Sequence, residues 1–186
     1  MRSPYFFSLL PVFCIIFIFS NLNATETQQL DRPTEALIQN ITWIENACVK
    51  IAGSQTIYFD PYHISKTDSA DIVFVTHEHG DHFSMYDINK IKTGNTLIVG
   101  PASVTNSIEG NKKTVKAGDV IQVKGLKIQV VPSYNLHIDN HAKYKGHVGY
   151  IVTMDGVTYY HPGDSDFIPE MKQIEADVAC LPVCGT

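Results

Sequence analysis

The sequence feature that most constrains this chain is the segment "FVTHEHGDHFS", which covers residues 74–84. It crowds three histidines and two acidic residues into six consecutive positions: His77, Glu78, His79, Asp81 and His82. The segment overlaps and follows the apolar run "DIVFV", which is typical of a strand buried on both faces. We therefore expect a polar loop at the carboxyl end of a buried strand, with several side chains converging on one point.

The spacing within this loop favours a metal site. His77 and His79 alternate along an extended backbone and can point the same way. Gly80 permits a sharp turn, after which Asp81 and His82 return towards the same space. Two nitrogens can hold one metal, and the next carboxylate and nitrogen can hold a second metal about 3.5–4 Å away. Imidazole and carboxylate suit Zn²⁺, and also Mn²⁺ or Fe, better than Ca²⁺.

Elsewhere the sequence alternates short strand-like runs with turn residues. "ITWI", "ACVKIAG" and "TIYFD" follow one another closely and predict hairpins. "SMYDINKIK" has helical spacing with Ser84 as its cap, and "FIPEMKQIE" also predicts a helix. The simplest layering for such a pattern has helices packed outside stacked sheets.

The composition excludes some classes of protein. With 44% hydrophobic and 18% charged residues, the chain is an ordinary globular one. Its net charge of −5, without any block of Lys or Arg, argues against a nucleic-acid partner. Beyond the N-terminal segment, the cysteines are Cys48, Cys180 and Cys184, and their odd number favours buried thiols over a disulfide framework.

The N-terminal segment differs from the rest of the chain. Arg2 precedes an apolar stretch at about residues 9–19, and small or polar residues follow it. This layout is that of a secretory signal peptide, and the stretch is shorter than the roughly 20 residues of a membrane span. We expect a signal peptide over residues 1–24 and a polar lead-in over residues 25–40. The protein would then be periplasmic or secreted, and anchored to a membrane only if the segment stays uncleaved.

The segment "THEHGDH" resembles the HxHxDH signature of the metallo-β-lactamase superfamily. "IYFDPY", "VGYIV" and "YYHPGDSDFIPEM" are similar to further segments of its metal-dependent hydrolase branch, to which the ascorbate-6-phosphate lactonase-like proteins are related. The similarity extends over roughly residues 41–186, which we expect to form one domain. It implies an α+β fold, the αββα sandwich, around a site for one or two metal ions, with Zn²⁺ expected and Mn²⁺ or Fe as alternatives.

The resemblance also implies roles for individual residues. His77 and His79 match two ligands of the first metal. Asp81 and His82 match two ligands of the second. Asp164, which follows a strand and the pair Pro-Gly in "HPGDSD", matches the carboxylate that bridges both metals.

Two histidines compete for the remaining position on the first metal. Counted from the Tyr-Asn pair, the resemblance favours His141 over His137. We expect His147 to be structural, at the start of a strand, and His161 to lie outside the ligand set. Asp60 matches a family aspartate close to the site and is expected to orient a ligand histidine.

The chain departs from the family pattern in two places. Glu45-Asn46 stands where the family usually has Gly-His. The family's last metal ligand is a histidine on a later strand, which would lie beyond Thr186. We therefore expect a C-terminally shortened member, with a sandwich that is incomplete at its C-terminus and part of one sheet left with an unpaired edge.

The predicted activity follows from metal chemistry. A metal-bound hydroxide would attack an ester, lactone, amide or phosphoester of a small-molecule substrate, with Asp81 as the residue that binds metal and orients the nucleophile. A nuclease is disfavoured by the acidic charge and the export signal. The alternative is a non-catalytic relic or binding module that holds metal but lacks the last ligand. The oligomeric state stays open.

Overall fold

The computed structural model of the protein describes residues 15–18, 34–65, 68–137 and 139–183. Within these residues, two six-stranded sheets pack face to face. In spatial order, the first sheet consists of β2 (Ile41–Glu45), β3 (Cys48–Ala52), β4 (Thr56–Phe59), β5 (Ile72–Phe74), β6 (Leu97–Gly100) and β7 (Lys112–Thr114). In spatial order, the second sheet consists of β1 (Ile15–Ile18), β12 (Val178–Leu181), β11 (Val157–His161), β10 (Val148–Met154), β9 (Leu126–Pro132) and β8 (Val120–Val123).

Both sheets mix antiparallel and parallel pairs. Strands β2, β3 and β4 form the antiparallel hairpins predicted from the sequence, whereas β4 to β7 are parallel. The second sheet is antiparallel except between β11 and β12. The expectation that part of one sheet has an unpaired edge stays a prediction; among the described residues, β12 pairs with β1 on one side and with β11 on the other. This pairing gives partners to backbone groups that an edge strand leaves free.

An apolar core fills the space between the sheets. Phe59 stacks on Phe74 with ring centroids 5.1 Å apart, and Tyr150 of the opposite sheet lies 4.9 Å from Phe74. The buried hydroxyl of Tyr150 donates a hydrogen bond of 2.7 Å to the Val75 carbonyl, so the two sheets are also joined by a polar contact. Cys48 and Cys180 are buried, as predicted, while Cys184 lies outside the described residues.

The helical segments are α1 (Thr34–Ile38), α2 (Met85–Ile91), α3 (Ala102–Thr105) and the 3₁₀ turns Asp139–His141, Lys143–Lys145 and Pro169–Gln173. Leu37 and Ile38 of α1 pack against the core between the sheets, whereas other helical segments cover the outer faces. Ile88 and Ile91 of α2 pack on the first sheet, and Met171 packs on the second. This arrangement of mixed sheets with few helices outside them confirms the predicted αββα fold.

One helix prediction was right and another was wrong. Ser84 caps α2 by accepting a hydrogen bond from the Asp87 amide, as its position predicted. "FIPEMKQIE" forms only a 3₁₀ turn, because its hydrogen bonds run from Met171 to Ile168 and from Ile174 to Met171, three residues apart.

Strand order brings several loops to one end of the sandwich. β4 and β5 are parallel neighbours, so the residues that follow them, Asp60 and Thr76–His77, lie side by side. The amide of Val148, at the start of β10, donates to the Thr76 carbonyl across the two sheets. Gly163, after β11, has φ +64°, and a Cβ there would lie 2.9 Å from the Thr76 Cβ. Glycine therefore allows the Asp164 loop to pass close over the histidine loop.

The predicted signal peptide lies almost entirely outside the described residues, and only 15–18 of it are described, as backbone of β1. The predicted polar lead-in, residues 25–40, contains α1. Among the described residues, no helix is both long enough and apolar enough to cross a membrane.

Candidate metal centre

A hydrogen bond to Thr76 holds the imidazole of His77, the first histidine of the loop, in place. His77 is fully buried, and its Nδ1 lies 2.9 Å from the Thr76 hydroxyl. That hydroxyl donates to Asp60 at 2.7 Å, so it accepts the hydrogen bond from Nδ1–H of His77. The tautomer this imposes leaves Nε2 of His77 with a free lone pair, and this buried atom has no hydrogen-bond partner. Histidines that bind metal usually donate their other ring N–H to an oxygen atom in this way, which fixes the orientation of the ring.

His82 is held by the same carboxylate. Asp60, which is fully buried, accepts a hydrogen bond of 2.8 Å from Nδ1–H of His82 and another of 2.8 Å from the Thr76 amide. The buried Nε2 of His82 then points to the other side, 3.2 Å from Asp164 and 3.6 Å from Asp81. Asp60 thus orients two histidines, one directly and one through Thr76, in the role expected for it.

Two sets of ligand atoms converge at this end of the sandwich. One nitrogen each of His77, His79 and His141 lie within 4.8 Å of one another. A second set, from His77, His82 and Asp164, meets the same limit. His77 belongs to both sets, so the two sets adjoin. Buried imidazole nitrogens without a hydrogen-bond partner, beside a carboxylate, form a donor set that fits Zn²⁺.

Asp81, the predicted catalytic residue, lies beside the second set rather than within it. Its carboxylate is about half exposed, and its Oδ2 accepts a hydrogen bond of 3.1 Å from the Asn46 amide. Asn46 turns in the left-handed region at φ 49°, and its carbonyl accepts a hydrogen bond of 2.8 Å from the Trp43 indole. Asn46, which stands where the family usually has a histidine, therefore contacts the predicted ligand Asp81. This contact was not predicted from the sequence.

The electrostatics separate the buried histidines. Burial, together with the neighbouring charge of His82, lowers the pKa of His77 to about 3, so this imidazole is neutral. Burial also opposes a charge on His82, but Asp60 and Asp164 outweigh it and raise the pKa of His82 to about 10. Burial works against ionisation of Asp164 as well, yet the hydrogen bond and charge of His82 lower its pKa to about 2. Without metal, the centre therefore has a neutral His77 on one side and a protonated His82 between the ionised Asp60 and Asp164 on the other.

His147 joins the cluster, although the sequence predicted a purely structural role for it. Only 3% of the residue is exposed, and its ring stacks on His77 at 4.7 Å and lies 5.3 Å from the ring of His141. Neither ring nitrogen has a hydrogen-bond partner, and Nε2 lies 3.5 Å from the Glu78 carboxylate. The available signal was its place one residue before β10, whose start lies at the same sheet end as the histidine loop.

The remaining histidines lie outside both sets. His137, the competitor of His141, is exposed in the same loop. His161 is tied to the backbone on both sides, since its Nε2 donates to the Ala47 carbonyl at 2.8 Å and its Nδ1 accepts from the Gly163 amide. His63 is half exposed and pairs with Glu45 at 3.0 Å. His141 thus lies within the first set, whereas His137 and His161 lie outside both sets.

We expect the metal-free protein to lose stability as the pH falls from about 6.5 towards 4. Burial lowers the pKa values of His77, His141, His147 and His161 in the folded state, so the unfolded chain binds more protons in this range. The raised pKa of His82 acts in the opposite window, because its contribution is complete below pH 6.5 and is lost as the pH rises through about 10. Urea unfolding at pH 7 and pH 5, in the presence of chelator, measures the effect.

A control for this prediction is His137→Gln, which changes an exposed histidine outside both ligand sets. Its pH dependence should follow that of the unaltered protein. A midpoint of unfolding that rises on acidification would contradict the assigned charge states.

The chain is similar to known metal-dependent hydrolases over most of its length. A family model described as a β-lactamase superfamily domain matches residues 40–186. A UPF0173 metal-dependent hydrolase of Methanoculleus marisnigri is 34% identical over 155 residues, which cover 78% of this chain and 68% of the relative. The corresponding protein of Pyrococcus furiosus is 31% identical over 163 residues, covering 78% and 72%.

A solved structure is similar as well. The crystal structure of a metal-dependent hydrolase from Parabacteroides distasonis matches with a TM-score of 0.64 and 30% identity. The match covers 72% of this chain and 64% of that one, so the chain spans less than two thirds of that solved protein.

Proposed function

The chain belongs to the metallo-β-lactamase superfamily, and on this premise we propose that it is a hydrolase that depends on one or two zinc ions. The observation that carries the proposal is the convergence of the His77, His79 and His141 nitrogens beside the second set with Asp164. The names of the relatives support a hydrolase, and the donor set supports zinc over a harder cation.

The residues divide into those that hold metal and those that hold the ligands. His77, His79 and His141 would hold the first ion, and His82 and Asp164 would take part in holding the second. When bound, such a metal supplies an activated water and a Lewis acid for the substrate oxygen. Asp60, directly and through Thr76, keeps Nε2 of His82 and of His77 turned towards the centre, and metal binding at His82 would displace its Nε2 proton.

Asp81 is the residue that we assign to the reacting proton. Its carboxylate is half exposed at the mouth of the centre, 3.6 Å from Nε2 of His82. Asn46 occupies Oδ2, which leaves Oδ1 to accept a hydrogen bond from the attacking water and to orient it. Asp81 and Asn46 together would thus set the direction of attack.

The substrate class that we propose is a small molecule with an ester, lactone, amide or phosphoester bond. These bonds share a polarised carbonyl or phosphoryl centre that water attacks, followed by charge on an oxygen that a cation stabilises. No serine or cysteine nucleophile is needed. We also propose export through a signal peptide at residues 1–24. Its cleavage would remove β1 and leave β12 as an edge strand, and N-terminal sequencing of the secreted or periplasmic form would test it.

The test combines metal analysis with a substrate panel. The purified chain is loaded with zinc and assayed for bound metal, and then for hydrolysis of a p-nitrophenyl ester, a γ-lactone, an anilide and bis(p-nitrophenyl) phosphate. We expect about two zinc ions per chain and turnover of at least one class, lost with chelator and restored by zinc. One ion or none, without turnover, would instead support the non-catalytic metal-binding relic.

A further inference from the structure

Three exposed apolar side chains lie within five residues of a candidate ligand along the chain, and we call them the apolar rim. They are Leu136, Tyr144 and Phe167, which are 54%, 76% and 71% exposed. Among the described residues, six large apolar side chains are exposed, and these three lie on the two segments that carry His141 and Asp164. Single exposed apolar residues are ordinary, but a group beside a polar site indicates a surface that binds something apolar.

Hydrogen bonds hold the two segments together. The Leu136 amide donates to the Asp166 carboxylate at 2.8 Å, and the Asp166 amide donates to the Tyr134 carbonyl at 3.1 Å. Leu136 therefore lies beside the residue that precedes Phe167. Within the first segment, the Asn135 amide donates to the His141 carbonyl at 2.8 Å. The backbone of the candidate metal ligand His141 therefore lies beside the residue that precedes Leu136.

A compensated ion pair joins the segment of Tyr144 to the same rim. Lys143 pairs with Glu170 at 2.8 Å, and the other oxygen of Glu170 accepts a hydrogen bond of 2.9 Å from the Tyr134 hydroxyl. The Lys143 ammonium also lies 4.8 Å above the Tyr134 ring. Lys143 and Glu170 therefore compensate each other, while the Lys145 ammonium lies 6.0 Å from the centroid of the Tyr144 ring. The rim is thus apolar at Leu136 and Phe167 and has a cation beside Tyr144.

We propose that this rim binds an acyl or aryl group of the substrate while the bond to be cleaved lies at the metal centre. The proposal rests on the proposed function and adds the substrate class, which is an ester, lactone or amide with an apolar portion. The occupant is assigned from continuity, because His141 and Asp164 stand on the segments that carry the rim. A bound apolar group would cover side chains that water covers in the free protein.

The first test is a series of p-nitrophenyl esters from acetate to octanoate. We expect kcat/KM to rise about threefold for each added methylene, near the transfer value of that group. In Leu136→Ser and Phe167→Ser, the rise with chain length should flatten, which the ratio of kcat/KM for octanoate to that for acetate measures within each variant. The matched control is Val120→Ser, which changes an exposed apolar residue on β8. The same chain-length dependence in all variants would overturn the proposal.

The second test does not require turnover. N-phenyl-1-naphthylamine, a neutral apolar fluorophore, is titrated into the zinc-loaded and the metal-free protein. We expect its affinity to fall at least fivefold in Leu136→Ser and Phe167→Ser and to stay unchanged in Val120→Ser. Equal affinities in all variants would overturn the proposal that the rim binds an apolar group. The proposal would also be overturned if the unaltered chain were a dimer in size-exclusion chromatography and the rim variants were monomers, because the rim would then be a dimer interface. Probe binding at the rim without hydrolysis of any ester would overturn the proposed hydrolysis of esters but not the rim.

Discussion

Replacing His141 by alanine is expected to lower the zinc affinity of the first position at least about 100-fold, whereas replacing His137 should leave it unchanged. Loss of an outer residue that merely orients a ligand already costs about 10–100-fold in metal affinity, so loss of a ligand costs at least the upper value. Zinc titration against a chromophoric chelator measures the affinity, and the same samples give the residual hydrolysis.

The two histidines form a matched pair, because they lie four residues apart in one loop. His141 directs a nitrogen to His77 and His79, while His137 is exposed. Both variants should keep the far-ultraviolet circular dichroism of the unaltered chain. An affinity that falls in the His137 variant and not in the His141 variant would reverse the assignment of the third ligand.

Replacing Asp60 by alanine is expected to lower the free energy of unfolding of the metal-free protein by about 3–5 kcal/mol. The carboxylate is fully buried and accepts hydrogen bonds from the Thr76 amide, the Thr76 hydroxyl and the His82 imidazole. Its removal leaves these donors buried without an acceptor. It also leaves the protonated His82, whose pKa is raised chiefly by Asp60, without its main ionic partner. Urea unfolding at pH 7 with chelator measures the loss.

Two further variants sharpen this result. Asp60→Asn keeps one acceptor oxygen and should cost less than the alanine variant. Asp139→Asn changes an exposed carboxylate and should leave the stability within about 0.5 kcal/mol. A loss below about 1 kcal/mol for Asp60→Ala would show that the carboxylate does not carry the network assigned to it.

Local patterns predicted the parts of the fold and site that depend on neighbouring residues. Consecutive strand-like runs gave the β2–β4 hairpins, and Ser84 gave the start of α2. The histidine loop placed His77, His79 and His82 close together because only a few residues separate them. "FIPEMKQIE" failed because Pro169 follows an extended Ile168 and the chain is extended again at Ile174, which leaves room for one short turn.

Contacts between distant segments were the least predictable. Asn46 meets Asp81 across 35 residues, and His147 meets His77 because β10 starts at the end of the sandwich where β5 finishes. Neither position has a local signal for such a contact, since Asn46 is a turn residue and His147 precedes an ordinary buried strand. The choice between His137 and His141 likewise depended on how the loop folds back on Asn135.

The sequence by itself therefore determined the kind of chemistry, because the ligand types and their spacing within one loop are local properties of the chain. It also determined, through its resemblance to a known superfamily, the sandwich that carries this loop. Only the tertiary structure decided which distant residues complete the centre. The order of the strands and the side from which each loop returns fix that choice, and both follow from packing two sheets over one core.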